Sequence, residues 1–262
     1  MTTPAPPTLA EVEAALHRSQ QRLAAVVTNL TPEQLGGPSY DPGWTVADVL
    51  SHLGSGAEIF HQMLEAGLAD REPPAFEDLV AVWDAWNART PEQQAADSLA
   101  ANAAFLARVG ALAEDERAQF SVEAFNGRQD LLGLARLRLG EHAVHTWDVL
   151  VVADPQAEVA PDATAALLPG IDELVARAGQ RSEVPLRVAV TTSELAATFL
   201  LEADGDGPRL VPGPAADADA TLALSAAAFI RLVYGRLDAE HTADVRAEGV
   251  ELATLRQVFP GF

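Results

Sequence analysis

The run Arg138-Leu139-Gly140-Glu141-His142-Ala143-Val144-His145-Thr146-Trp147-Asp148 decides how the chain is read. It lies in a segment, about Asp130 to Val152, where Leu131, Leu134, Leu137, Leu139, Val144, Val149 and Leu150 predict a helix. On that helix Glu141 and His145 are four residues apart and project from one face, one turn above the other. A carboxylate and an imidazole at this spacing can fill two positions around one metal ion. Asp148, three residues after His145, is placed to orient an imidazole through its second nitrogen. His142 is turned about 100° off that face and reads as a bystander. The plainer reading is a charged helix face, with Arg138 and Glu141 as an i,i+3 ion pair and the histidines at half-exposed positions. A Glu-x-x-x-His pair alone does not exclude it, because the pattern recurs by chance.

Upstream, a third donor stands on another apolar-patterned segment, about Val46 to Leu68, which carries Val49, Leu50, Leu53, Ile59, Phe60 and Leu64. Thr45 caps it, Asp48 is the third residue after the cap, and His52 follows one turn later. Our expectation is that His52, Glu141 and His145 meet across a bundle core and hold a divalent metal. His61 is about half a turn out of phase with His52 and should face away from a shared site. Gly54 and Gly56 are poor helix formers, and predict a close helix approach or a local irregularity.

Two further helical regions complete the first half. Thr8 and Glu11 form a capping-box signal for a helix to about Leu30, and Thr31-Pro32-Glu33 is a second start signal. After the Pro73-Pro74 break, a region from about Phe76 to Ala113 is interrupted near Thr90-Pro91. Residues 114–130 read as a connection with Asn126-Gly127 as its turn. Four long apolar-patterned helices before residue 153 predict a helical bundle.

The texture changes after Asp154-Pro155. A short helix, about Ala163 to Ala178, is followed by strand signals at 186–190, 197–201, 209–211 and 220–224. Asp204-Gly205-Asp206-Gly207 reads as a hairpin turn, Ser225 caps a helix to about Tyr234, and a last helix spans about Gly249 to Val258. The expected architecture is therefore α+β in two domains. Residues 1–155 form the bundle and 160–262 a small α+β domain whose sheet is expected to be antiparallel.

Bulk properties narrow the function. The 262 residues carry a formal net charge of −21, which disfavours nucleic acid and an anionic membrane surface as partners. No run approaches 18 apolar residues and no secretory signal is visible, so a cytoplasmic protein is expected. There is no cysteine, so thiol chemistry would need a thiol brought from outside. Abundant Ala, with Arg favoured over Lys, suggests a GC-rich genome.

The Trp44-Thr45-Val46-Ala47-Asp48-Val49-Leu50-Ser51-His52-Leu53 run and the Arg138-x-x-Glu141-x-x-x-His145-x-x-Asp148 run together resemble the mycothiol-dependent maleylpyruvate isomerase family. The resemblance covers nearly the whole chain. It implies a DinB-like metal-binding four-helix bundle followed by a C-terminal domain similar to sterol carrier proteins. It also implies a metal, usually zinc, held by His52, Glu141 and His145, and a low-molecular-weight thiol such as mycothiol as cosubstrate. The segment Phe229-Ile230-Arg231-Leu232-Val233-Tyr234-Gly235-Arg236 is similar to the family's late helix and following Gly-Arg. Arg236, with Arg231 second, is the candidate for a substrate carboxylate, since a planar guanidinium pairs with one bidentately.

Three protein ligands leave a tetrahedral metal one open position, and such a centre acidifies a bound thiol. The expected activity is isomerisation or S-conjugation of a small electrophile, by a monomer or homodimer. Two alternatives are a hydrolase activating water at the same ligands and a non-catalytic protein binding a small molecule or lipid.

Overall fold

The computed structural model describes residues 5–124, 127–213, 215, 217–242 and 244–261. The chain divides into two compact units, Thr8–Ala157 and Met1–Pro7 with Glu158–Phe262.

The first unit is a helical bundle. Its helices are α1 (Leu9–Val27), α2 (Pro32–Leu35), α3 (Val46–Leu68), α4 (Phe76–Asn87), α5 (Pro91–Gly110), α6 (Glu114–Gln119) and α7 (Leu131–Ala153), with a hairpin of β1 (Val122–Ala124) and β2 (Gly127–Gln129) before α7. Local chemistry sets the starts. Thr8, Thr31, Thr45 and Thr90 each close a capping box with the residue three positions on, satisfying two backbone donors at each helix entry. Asp130 caps α7 by accepting from the Gly133 N–H. The stretch read as a connection is thus more ordered than the sequence suggested, holding α6 and the β1–β2 hairpin. Gly127, at φ 105°, supplies the positive φ there, while Asn126 lies outside the described residues.

Packing explains the two mid-helix glycines of α3. A Cβ on Gly54 would lie 2.1 Å from the Trp86 ring of α4, and one on Gly56 would lie 2.8 Å from Arg138 of α7. Their absent side chains let a tryptophan and an arginine approach α3 from two sides, which outweighs the helix-propensity cost of about 1 kcal/mol per glycine. Arg138 is 1% exposed. Its Nη2 donates to the Leu53 carbonyl at 2.7 Å and to Asn102 Oδ1 of α5 at 2.5 Å, tying α7, α3 and α5 together. It makes no ion pair with Glu141 among the described residues, contrary to the plain surface reading. Around this lie the apolar contacts of Leu23, Val27, Val49, Leu50, Leu53 and Val149.

The second unit carries α8 (Pro161–Leu167), a 3₁₀ turn (Leu168–Gly170), α9 (Ile171–Ala178), β3 (Leu186–Thr192), β4 (Thr198–Asp204), β5 (Gly207–Pro212), β6 (Ala220–Leu224), α10 (Ala226–Val233), β7 (Arg246–Glu248) and α11 (Leu252–Val258). Its sheet has the order β5-β4-β3-β6-β7. β4 and β6 alternate buried residues with more exposed ones, and α10 is buried along its whole length. The α+β expectation holds, with three corrections. The expected 163–178 helix is broken at Leu168–Gly170, where Pro169 has no N–H to continue the ladder. The expected last helix begins at Leu252 rather than Gly249, and an unexpected short strand, β7, precedes it. The sheet is mixed rather than antiparallel, because β6 runs parallel to β3. Alternation of side chains is the same for either direction, so the sequence pattern carried no information on that pairing.

Candidate metal centre

The site is built where α3 and α7 face each other. The Thr45–Asp48 capping box fixes the start of α3, and His52 follows one turn after Asp48. Two turns of α7 carry Glu141 and His145. His52 Nε2 lies 3.2 Å from Glu141 Oε2, and His145 Nε2 lies 3.8 Å from the same oxygen. One donor atom from each of the three residues falls within 4.8 Å of the others. Sequence spacing put Glu141 and His145 on one face; the fold brings His52 to them across 89 residues of chain.

The surroundings dictate which atoms face inward. His145 Nδ1 is 2.8 Å from Asp148 Oδ2, and Asp148 is fully buried. A ring N–H donated to that carboxylate leaves the Nε2 lone pair toward Glu141 and His52. Trp44 covers the pair of imidazoles. Its ring is nearly parallel to His145 with centroids 6.3 Å apart, and is tilted against His52 at 5.5 Å. A second group of donors, Asp41, His145 and Asp148, also lies within 4.8 Å.

Electrostatics favour a metal-ready protonation state. Burial pushes the His52 imidazolium toward losing its proton, and the positive charge of His145 and Arg138 adds to this against the pull of Glu141. Burial alone would raise Glu141, but the hydrogen bond from His52 and the charges of His145, His52 and Arg138 outweigh it and hold the carboxyl at about 2. Arg138, itself lowered to about 10 by burial, is the permanent cation of this group. The result is a neutral imidazole beside an ionised carboxylate at neutral pH. Two imidazole nitrogens and one carboxylate oxygen are donors that suit zinc.

This chain belongs to a known enzyme family. The mycothiol maleylpyruvate isomerase N-terminal domain matches residues 16–150, more than half of the chain and the whole span of the site. The fold agrees beyond that domain. A crystal structure of the mycothiol-dependent maleylpyruvate isomerase superposes with a TM-score of 0.69 at 14% sequence identity, covering 94% of this chain and 95% of that one. A structure of a His-to-Ala mutant of mycothiol-dependent maleylpyruvate isomerase is similar to the same extent, with a TM-score of 0.68 at 13% identity and the same coverage. No curated protein matches the chain in sequence.

The remaining residues of interest fall elsewhere. His142 is in the core of the bundle. Gln20 donates through Nε2 to the Leu99 carbonyl, so its Oε1 accepts from His142 Nε2 at 3.1 Å. His142 Nδ1 then accepts, with Ser19 Oγ at 2.9 Å and Thr146 Oγ1 at 3.2 Å. Burial, with nearby positive charge, keeps this imidazole neutral. His61 sits 3.8 Å from Glu65, outside the donor group. In the second unit, Arg231 is buried and pairs with Glu158 at 3.2 Å while donating to the His241 carbonyl. Arg236 is 5% exposed and donates to the Tyr234 carbonyl at 2.8 Å. The sequence reading missed the α4 residues Trp83, Asp84 and Asn87, which line a cavity of about 690 Å³ beside Trp44, Asp48 and His52. No periodicity signals them, because they lie on the half-exposed side of an amphipathic helix.

Proposed function

We propose that the protein is a metal-dependent, thiol-using enzyme that isomerises or S-conjugates a small electrophile bearing a carboxylate. The observation that carries this reading is the convergence of donor atoms from His52, Glu141 and His145, with His52 also lining a cavity large enough for a small-molecule reactant. Those three residues would hold a divalent ion, with zinc favoured by the donor set. When bound, the metal supplies Lewis acidity that lets a thiol lose its proton at neutral pH.

The protein residues do the rest. As ligands the two imidazoles would be uncharged donors and Glu141 would supply one negative charge, so a divalent site would keep net positive charge. Asp148 fixes the His145 ring and its tautomer, a positioning role. The Asp41–His145–Asp148 group reads as this outer support, since Nδ1 is already engaged with Asp148. Trp44 shields the imidazoles from water. The incoming thiol, mycothiol or a similar small thiol, attacks an activated C=C bond and forms a C–S bond. Rotation and expulsion of the thiol then return the alkene in its other geometry, while protonation without expulsion leaves an S-conjugate. By the family resemblance, Arg236 and then Arg231 are the candidates for the electrophile's carboxylate.

Elemental analysis of purified wild type beside His52→Ala and His145→Ala tests the site. Near-stoichiometric metal is expected in the wild type and background metal in both variants, with loss of thiol-dependent turnover on the order of 10³-fold. Metal that persists in both variants would remove the assignment. Turnover without added thiol would point instead to water activation.

A further inference from the structure

Arg138 stands one turn before Glu141 on α7, yet it pairs with neither that carboxylate nor any other among the described residues. It is 1% exposed, and its Nε has no hydrogen-bond partner among the described residues. A buried cation without a counter-charge carries a large desolvation cost, and an apolar side chain of similar volume usually serves stability as well or better. Fold stability is therefore a poor account of this arginine.

What the guanidinium grips is the backbone beside a candidate ligand. Arg138 Nη2 donates to the Leu53 carbonyl at 2.7 Å, and Leu53 is the residue after His52. The same carbonyl accepts from Asn102 Nδ2 of α5 at 3.3 Å, while Asn102 Oδ1 accepts from Arg138 Nη2 at 2.5 Å. Asn102 Nδ2 is anchored in turn on the Ser98 carbonyl at 2.9 Å. Both ends of the amide are thus engaged, which fixes its orientation. Farther along α3 the guanidinium packs over bare Gly56, where a Cβ would lie 2.8 Å from Nη1, and stands 5.6 Å from the Phe60 ring centroid. Arg138 therefore meets α3 at three points over two turns, beginning next to His52.

We propose that Arg138 and Asn102 are positioning residues of the metal centre, setting the register of α3 against α7 so that His52 meets Glu141. Apolar contacts are non-directional and tolerate a small slide of one helix on another, whereas hydrogen bonds weaken steeply when misaligned. The lever is short on both sides. One residue joins Leu53 to His52, and three join Arg138 to Glu141, about 4.5 Å along the helix axis. The inference rests on the metal reading above and adds what holds two of its ligands together.

Zinc affinity of the intact chain tests this without turnover. The protein is stripped with a chelator, reloaded with zinc and read by competition with a chromophoric chelator. Arg138→Lys, Asn102→Leu and Gly56→Ala all keep the formal charge, so none acts through net charge. Lysine loses the planar fork, leucine removes the amide, and a methyl on residue 56 displaces the guanidinium. Zinc affinity is expected to fall by about 10- to 100-fold in the first two and by about 3- to 10-fold in the third. The urea midpoint of the metal-free protein separates positioning from a purely structural role. Gly56→Ala replaces a poor helix former, so its midpoint should hold or rise while its zinc affinity falls. Zinc affinity within about 2-fold of wild type in every variant that folds would overturn the inference. If the wild type binds zinc in that case, the proposed function still stands; a wild type that binds none overturns both.

Discussion

The two sides of α7 use the same residue type for opposite purposes. Toward α1, His142 is closed in by Ser19, Gln20 and Thr146, and each ring nitrogen has a protein partner. Toward α3, His145 gives one nitrogen to Asp148 and turns the other toward Glu141 and His52 beside a cavity. These histidines are three positions apart, and both are at least nine-tenths buried. Burial therefore does not distinguish a structural histidine from one proposed as a ligand. What distinguishes them is whether the second nitrogen is already satisfied inside the protein.

The largest effect expected from breaking this contrast is a crossed pair of substitutions. His145→Ala should abolish metal binding with modest loss of stability, whereas His142→Ala should keep metal near one equivalent. The latter should instead lose about 2–4 kcal/mol, because it opens a cavity and strands buried hydroxyl and amide groups. Elemental analysis and urea denaturation of the two variants read both quantities. Metal loss in His142→Ala, with the fold intact, would erase the distinction.

A smaller effect sharpens the role of the orienting carboxylate. Asp148→Asn retains shape but removes the charge that fixes the His145 tautomer. Metal affinity should fall by about 10- to 100-fold, measured by competition with a chromophoric chelator. An unchanged affinity would reduce Asp148 to a packing residue.

The smallest expected effect is on pH. Burial and neighbouring positive charge lower His52 below the ordinary imidazole value of 6.5, so its neutral, ligating form persists at that pH. Glu141, held at about 2, stays ionised throughout the same range. Metal should accordingly remain bound at pH 6.5 and leave on further acidification, as His52 protonates. In the metal-free protein the sign is the same. A carboxyl lowered from 4.5 to about 2 contributes stability above pH 4.5, and that contribution is lost as pH falls toward 2. Metal release already complete at pH 7 would contradict the first part.

The sequence told more about elements than about their partners. Helix-start signals at Thr8, Thr31, Thr45 and Thr90, the 3.6-residue apolar period and the Asp204–Gly207 turn are local signals, and local backbone chemistry acts on them directly. The spacing of Glu141 and His145 belongs to the same class, because one helix fixes both positions. The β1–β2 hairpin, β7 and the parallel β3–β6 pairing were not legible. Three-residue strands carry too little alternation to detect, and alternation does not encode direction.

Only the tertiary structure decided the rest. It brought His52 to 3.2 Å from Glu141, and it closed His142 inside hydrogen bonds with α1. It also set α4 against α3, so that Trp83, Asp84 and Asn87 line a cavity with His52. Each of these joins residues far apart in the chain, and such pairs are selected by how whole faces pack rather than by any residue's own preference. The sequence by itself determined which side of α7 carries a carboxylate and an imidazole in line. The packing of α1 and α3 on that helix determined that His145 turns toward Glu141 and His52 while His142 is closed in by Ser19 and Gln20.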